Sequence, residues 1–309
     1  MDIFWAIFKT ARPRQWVKNI SLMAALIFSG LLYTPGSLVK VIEAIVIFSI
    51  LASSVYIFND IIDVNKDREH PFKRKRPIAS GDLAINKAMI AMIGGWFVGI
   101  VWAYQLNFFF FLTCVAYVIV QFAYSLWLKN VPIIDVLVVA SSYIMRVYAG
   151  AFVINAHMDV WFLLAVVSAA LFLAIGKRRS EMTLLKATGE MAKVRVSLKH
   201  YTEQLLDVYT AMFANATWLT YALFSFNQPR IVPQGKALTL MSVLPRTLMS
   251  EKLMMITTPF VIYGVMRYLQ LVYERNEGES PERIVLSDKP LITTIVIWGL
   301  LVIGLLYYV

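Results

Sequence analysis

Nine stretches of roughly twenty mostly apolar residues dominate the chain, at 17–34, 40–58, 85–105, 108–128, 133–154, 160–176, 205–226, 252–272 and 291–309. Each is about the length a helix needs to cross the hydrocarbon of a bilayer. With 59% apolar and 16% charged residues, the chain has more apolar surface than a water-soluble fold of this size hides. The expected architecture is an all-α integral membrane protein of nine transmembrane helices, folded as one domain over 1–309. A soluble enzyme and a nucleic-acid binder are excluded. The net charge of +10 would suit nucleic acid only if it were spread differently. With the N-terminus inside, segments 1–18, 59–87, 129–132, 177–204 and 267–290 carry 23 of the 29 Lys and Arg. The opposite side carries five, and Arg146 lies within a span. That asymmetry places the N-terminus in the cytoplasm and the C-terminus outside. Asp2 and the lack of a basic leader argue against a signal peptide. Ile3, Phe4, Trp5, Ile7 and Phe8 fit a short interfacial helix or a frayed apolar terminus. One cysteine, Cys114, and three scattered histidines argue against a disulfide and against a Cys/His metal site.

Two cytoplasmic loops, 59–87 and 177–204, are too long and too charged to be plain connectors. The first begins F-N-D-I-I-D-V-N-K-D-R. On a continuous helix Asp67 lies about 20° from Asp60, and Asp63 about 60° away. All three carboxylates, with Asn59 beside them, are then able to face one cavity. Clustered carboxylates repel unless a cation neutralises them, and hard oxygen donors suit Mg2+. Arg68 and the run Lys73, Arg74, Lys75 and Arg76 follow directly. Acids for a metal and bases for phosphate, side by side, suit a Mg2+–diphosphate group. Part of that basic run, Lys75 above all, equally serves as topology signal.

The pattern N-D-x-x-D-x-x-x-D followed by K-R-x-R-P-I-A-S-G resembles the first aspartate motif of the UbiA-type intramembrane prenyltransferases. The resemblance implies nine helices around a central cavity open to the cytoplasm, with a second metal–diphosphate motif after the sixth helix. Members typically have D-x-x-x-D there. This chain has G-K-R-R-S-E, with Lys177, Arg178 and Glu181. A base where an acid is usual points away from a prenyl-diphosphate donor and towards another phosphorylated ligand. R-P-R-Q-W-V-K-N at 12–19, V-P-I-I-D-V-L-V-V-A-S-S-Y-I-M-R-V-Y-A-G at 131–150 and G-E-S-P-E-R-I-V-L-S-D at 278–288 resemble the decaprenyl-phosphate phosphoribosyltransferase branch. That branch joins 5-phosphoribosyl 1-diphosphate to a polyprenyl phosphate and releases diphosphate, at the cytoplasmic face of the plasma membrane.

The residues in those stretches allow such chemistry. Asp135 and Arg146 are three helical turns apart on one face. An arginine inside a span is costly and marks function by default. Asp135 either pairs with it or binds ribose hydroxyls. Lys18 and Asn19, at the entrance of the first span, either reach phosphate oxygens or, for Lys18, snorkel to headgroups. Asp60, Asp63 and Asp67 would hold Mg2+, with Arg74, Arg76 and Lys177 or Arg178 on phosphate groups. A lipid phosphate is already anionic near neutral pH, so no general base is obligatory. Two other readings stand: a prenyltransferase acting on an aromatic acceptor, and a transporter of an anionic solute. Chain length of the isoprenoid and self-association are open.

Overall fold

The structure is a computed structural model of the chain, and it describes residues 2–69, 73–187, 196–228, 252–275, 284 and 286–308. All regular elements among them are helical. Seven helices are long and apolar enough to cross a membrane: Ser37–Ile62, Ile85–Leu106, Phe108–Leu126, Ile134–Val153, Val160–Leu184, Leu253–Glu274 and Lys289–Tyr307. Each coincides with one of the nine expected stretches. The chain is a multi-pass integral membrane protein. The expected span 205–226 lies in a helix of 25 residues, Glu203–Asn227, long enough to span but made less apolar by Thr210, Asn215, Thr217 and Thr220.

The first expected span, 17–34, is not one α-helix. Helix α1 (Ile3–Ala11) is capped by Asp2, whose side chain accepts from the Phe4 N–H. Its exposed Phe4, Trp5 and Phe8 oppose buried Ala6, Thr10 and Ala11, the two-faced pattern of an interfacial helix. Arg12, at φ +53°, turns the chain. A 3-10 helix then runs over Pro13–Leu22, followed by α2 (Met23–Phe28).

The chain forms two compact units. One comprises 1–138 and 142–157; the other comprises 158–309 and 139–141. The first is built on α3 (Ser37–Ile62), whose Val41, Ala44, Ile47, Phe48, Leu51, Ala52 and Val55 are buried. Helix α3 ends at Asp63, and α4 (Val64–Glu69) restarts beyond that break. After the 3-10 turn Lys73–Lys75 come α5 (Pro77–Ser80), α6 (Ile85–Leu106), α7 (Phe108–Leu126) and α8 (Ile134–Val153). Leu22, Leu26, Phe110, Cys114, Tyr117 and Ala149 complete the core around α3.

The second unit holds α9 (Val160–Ala187), α10 (Glu203–Asn227), α11 (Thr258–Arg275) and α12 (Lys289–Tyr307). Phe172, Ala214, Tyr268, Leu271, Val272 and Leu291 form its core. Asp288 caps α12 by accepting from the Leu291 N–H at 2.9 Å, and it takes both prongs of Arg267 at 3.1 and 2.7 Å. The stretch 278–288 singled out in the sequence lies partly outside the described residues, as do much of the loop 177–204 and nearly all of 227–251.

Candidate active site

The acidic motif sits where α3 ends. Asp60, on the last turn, is 2% exposed, and Asp67, on α4, is 4% exposed. A carboxylate so far out of water needs a cation or hydrogen-bond donors. Arg76 supplies both groups at once: its Nη1 donates to Asp60 Oδ1 at 3.0 Å and to Asp67 Oδ2 at 2.6 Å. Seven residues apart, the two acids lie on one side of the chain across the interruption at Asp63, and one guanidinium meets both. Arg12 Nη2 donates to the same Asp60 Oδ1 at 2.5 Å, with its guanidinium 5.2 Å from the Tyr56 ring centroid.

Asp63 corrects the expectation of three carboxylates facing one cavity. It lies at the break, not on a continuous helix, and takes Lys129 instead, at 3.1 and 3.3 Å. Among the described residues no group of three or more Asp, Glu, His or Cys stands close enough together to hold a metal ion. Asp60 and Asp67 remain a pair, each using one oxygen for arginine. Two carboxylates plus phosphate oxygens and water form an ordinary Mg2+ donor set. Asp60 and Asp67, the two buried acids, are donors of the kind such an ion takes. Asn59 is held by Ser125, whose hydroxyl donates to its Oδ1. Arg68 is exposed and donates to the Ala79 carbonyl at 3.3 Å. Arg74 and Lys75 are exposed, and Lys73 is half-buried.

Deeper in the same unit, Asn19 and Arg146 form a second polar centre. Arg146 is 3% exposed. Its Nε donates to Asn19 Oδ1 at 2.8 Å, its Nη1 to the Ser142 carbonyl at 2.6 Å, and its Nη2 to Tyr117 Oη at 3.3 Å. The rings of Phe48, Tyr117 and Tyr143 surround the guanidinium, a favourable place for a desolvated cation. The pairing with Asp135 considered from the sequence is ruled out by length. Eleven helical residues put about 16 Å between the two positions, beyond direct reach. Asp135 is fully buried in the first turn of α8. Asn19 is 1% exposed and also donates to Ser49 Oγ at 2.9 Å, so it braces the 3-10 helix against α3. Lys18 is half-buried.

In the second unit, Glu181 accepts from Arg178 Nη1 at 2.5 Å, and Lys177 stands 3.9 Å from it. Arg178 is 1% exposed. The neighbouring Arg179 bonds Asp207 at 2.6 Å, and Tyr273 donates to the same oxygen at 2.8 Å.

Four residues at these sites were not singled out from sequence: Arg12, Lys129, Ser125 and Tyr117. Arg12 and Lys129 had been counted only as topology charges. Lys129 is the sole base in its short loop, and that isolation was the available signal.

The model of the UbiA prenyltransferase family matches residues 20–286. A decaprenyl-phosphate phosphoribosyltransferase from Corynebacterium glutamicum is 32% identical over 97% of this chain and 86% of its own length. Proteins of the same name from Mycolicibacterium smegmatis and Mycobacterium tuberculosis are 34% and 33% identical, each over 94% of this chain and over 89% and 91% of their own. A UbiA homologue from Archaeoglobus fulgidus, solved with GPP and Mg2+ bound, superposes with a TM-score of 0.68 at 18% identity, covering 97% of this chain and 99% of that one. At that identity the likeness concerns the fold alone. A family model over residues 20–286, with relatives at 32–34% identity over 94–97% of the chain, makes this chain an enzyme of the UbiA prenyltransferase family.

Proposed function

We propose that the protein transfers the 5-phosphoribosyl group of 5-phosphoribosyl 1-diphosphate to a polyprenyl phosphate, at the cytoplasmic face of the plasma membrane, and releases diphosphate. The observation that carries this is the likeness, over nearly the whole chain, to three decaprenyl-phosphate phosphoribosyltransferases. Two features favour it over prenyl transfer. The usual second acidic motif is replaced here by Lys177, Arg178 and Glu181, with Arg178 already bonded to the acid. The acids of the first motif also stand as a pair under arginine and not as a triad.

Asp60 and Asp67 would hold a Mg2+ ion. The ion supplies charge neutralisation of the departing diphosphate. Arg76, already at both acids, is placed to donate to phosphate oxygens as negative charge gathers there. Asn59, held by Ser125 and next to Asp60 in the chain, is a further candidate for binding the donor. The lipid phosphate attacks C1 of the ribose, the C1–diphosphate bond breaks, and the electron pair leaves with diphosphate. The nucleophile is already an anion, so no side chain need remove a proton. Holding a soluble donor and a lipid acceptor together supplies much of the rate.

Diphosphate release from purified protein tests this reading. Release is expected only when 5-phosphoribosyl 1-diphosphate, a polyprenyl phosphate and Mg2+ are all present. Release that ignores the lipid, or none with all three present, contradicts it.

A further inference from the structure

We propose that Arg12 is a displaceable counter-cation. It neutralises Asp60 while no metal is bound, and it turns onto the phosphate groups of the donor when the ion takes Asp60. This rests on the reading that the acid pair receives a metal–diphosphate.

Charge matching at the acid pair is the first argument. Two buried acids, Asp60 and Asp67, are met by two arginines, Arg12 and Arg76. The cluster is neutral as it stands. Adding a dication leaves an excess of positive charge in a partly desolvated place, so a guanidinium must find another partner. A diphosphate, arriving with the ion, is that partner, and arginine matches phosphate geometry well.

The second argument is which arginine is free to move. The two side chains are about equally exposed, at 30% and 28%, but Arg76 Nη1 joins both acids, whereas Arg12 holds one oxygen of Asp60 alone. The Tyr56 ring, 5.2 Å beneath its guanidinium, gives a surface along which the cation can shift without losing all its contacts.

The third argument is the mount. Ser53 Oγ shares its proton between the Ser49 carbonyl at 2.7 Å and the Ala11 carbonyl at 3.2 Å, and it accepts from Trp16 Nε1 at 2.9 Å. These bonds pin the backbone to α3 on both sides of Arg12. Arg12 itself holds φ +53°, a conformation uncommon for a residue with a side chain. The exchange therefore needs only rotation of the Arg12 side chain, with α1 and the 3-10 helix standing still.

The inference has an unusual sign. A residue that binds phosphate and merely supports the site should weaken every ligand when removed. A displaceable counter-cation competes with the metal, so its removal tightens binding of the metal alone. The experiment uses the full chain in detergent, with Mn2+ as the probe and free Mn2+ read by electron paramagnetic resonance, with and without inorganic diphosphate. Arg12→Gln is expected to bind Mn2+ alone about fivefold more tightly than the wild type. Inorganic diphosphate is expected to strengthen Mn2+ binding less in the variant than in the wild type. Equal or weaker binding of Mn2+ alone in folded Arg12→Gln overturns the proposal. Should that variant not fold, Arg12→Met, which removes the charge and keeps an apolar stem beside Tyr56, carries the same expectation and the same refutation. Asp60→Asn separates the two readings. It is expected to abolish binding of Mn2+ alone, and unchanged binding would remove the metal from Asp60 and the displacement with it.

Discussion

Asp60 and Asp63 are one turn apart in sequence, yet they sit in different electrostatic settings. Asp60 is almost wholly buried and shared by two arginines, while the Asp63 side chain keeps 29% of its exposure beside Lys129. Asp63 pairs with Lys129, whose side chain is 12% exposed, and does not join the acid pair. Asp63→Asn is therefore expected to keep at least about tenfold more transfer activity than Asp60→Asn, measured on purified protein at saturating donor. Equal losses would restore the triad. Arg146 makes a different prediction. Its guanidinium satisfies the Asn19 oxygen and the Ser142 carbonyl inside the membrane part of the unit. Arg146→Met leaves the buried Asn19 oxygen without that donor, which costs about 1–3 kcal/mol, while the Ser142 carbonyl keeps its place in the helix ladder. A lower thermal midpoint in detergent is expected, with Arg146→Lys only partly restoring it because one ammonium cannot reproduce the fork. The local acidic motif was legible in the sequence, because its residues lie within eight positions. Arg12 and Lys129 were not, since they reach their acids across 48 and 66 residues, and charge sidedness explained them well enough without the site.

At the scale of the element, the segment after Arg12 shows where periodicity misled. The sequence was read at 100° per residue throughout, whereas Pro13–Leu22 winds as a 3-10 helix. Three residues per turn place residues at i and i+3 in line. Trp16, Asn19 and Leu22 then form one row: Trp16 reaches Ser53, Asn19 reaches Ser49, and Leu22 is fully buried. Ser49 and Ser53, at i and i+4, make the matching row on α3. The row ends where α8 packs at Gly150, whose added Cβ would run into the Leu22 carbonyl oxygen. Backbone cannot swing aside as a side chain can. Gly150→Ala is expected to destabilise by about 1–3 kcal/mol, read as a lowered midpoint. Gly94→Ala, with nothing within 4 Å of its added carbon, is expected to be neutral or slightly stabilising as a helical Gly→Ala change. A neutral Gly150→Ala would contradict the close approach. The long apolar helices themselves were legible, because length and hydropathy alone decide what spans a bilayer.

At the scale of the whole molecule, the distribution of Lys and Arg predicts which end of each helix faces the cytoplasm. The chain lends itself to a test, since its one cysteine, Cys114, is buried. With Cys114→Ser as background, single cysteines replace Lys75 and Lys40, both exposed. In intact cells an impermeant maleimide is expected to spare the first and label the second, and inside-out vesicles are expected to reverse the result. Labelling of both from one side would overturn the orientation. That orientation matters to function, because the donor proposed here is soluble and the acceptor is a lipid.

The most direct measurement of the central claim offers the purified full chain, with Mg2+, two labelled donors in separate reactions. One contains 5-phosphoribosyl 1-diphosphate with a polyprenyl phosphate, the other a prenyl diphosphate with 4-hydroxybenzoate. Label is expected to enter the lipid product in the first reaction only, and to be lost with a chelator and in Asp60→Asn. Product in the second reaction alone would contradict the account and make the enzyme an aromatic prenyltransferase.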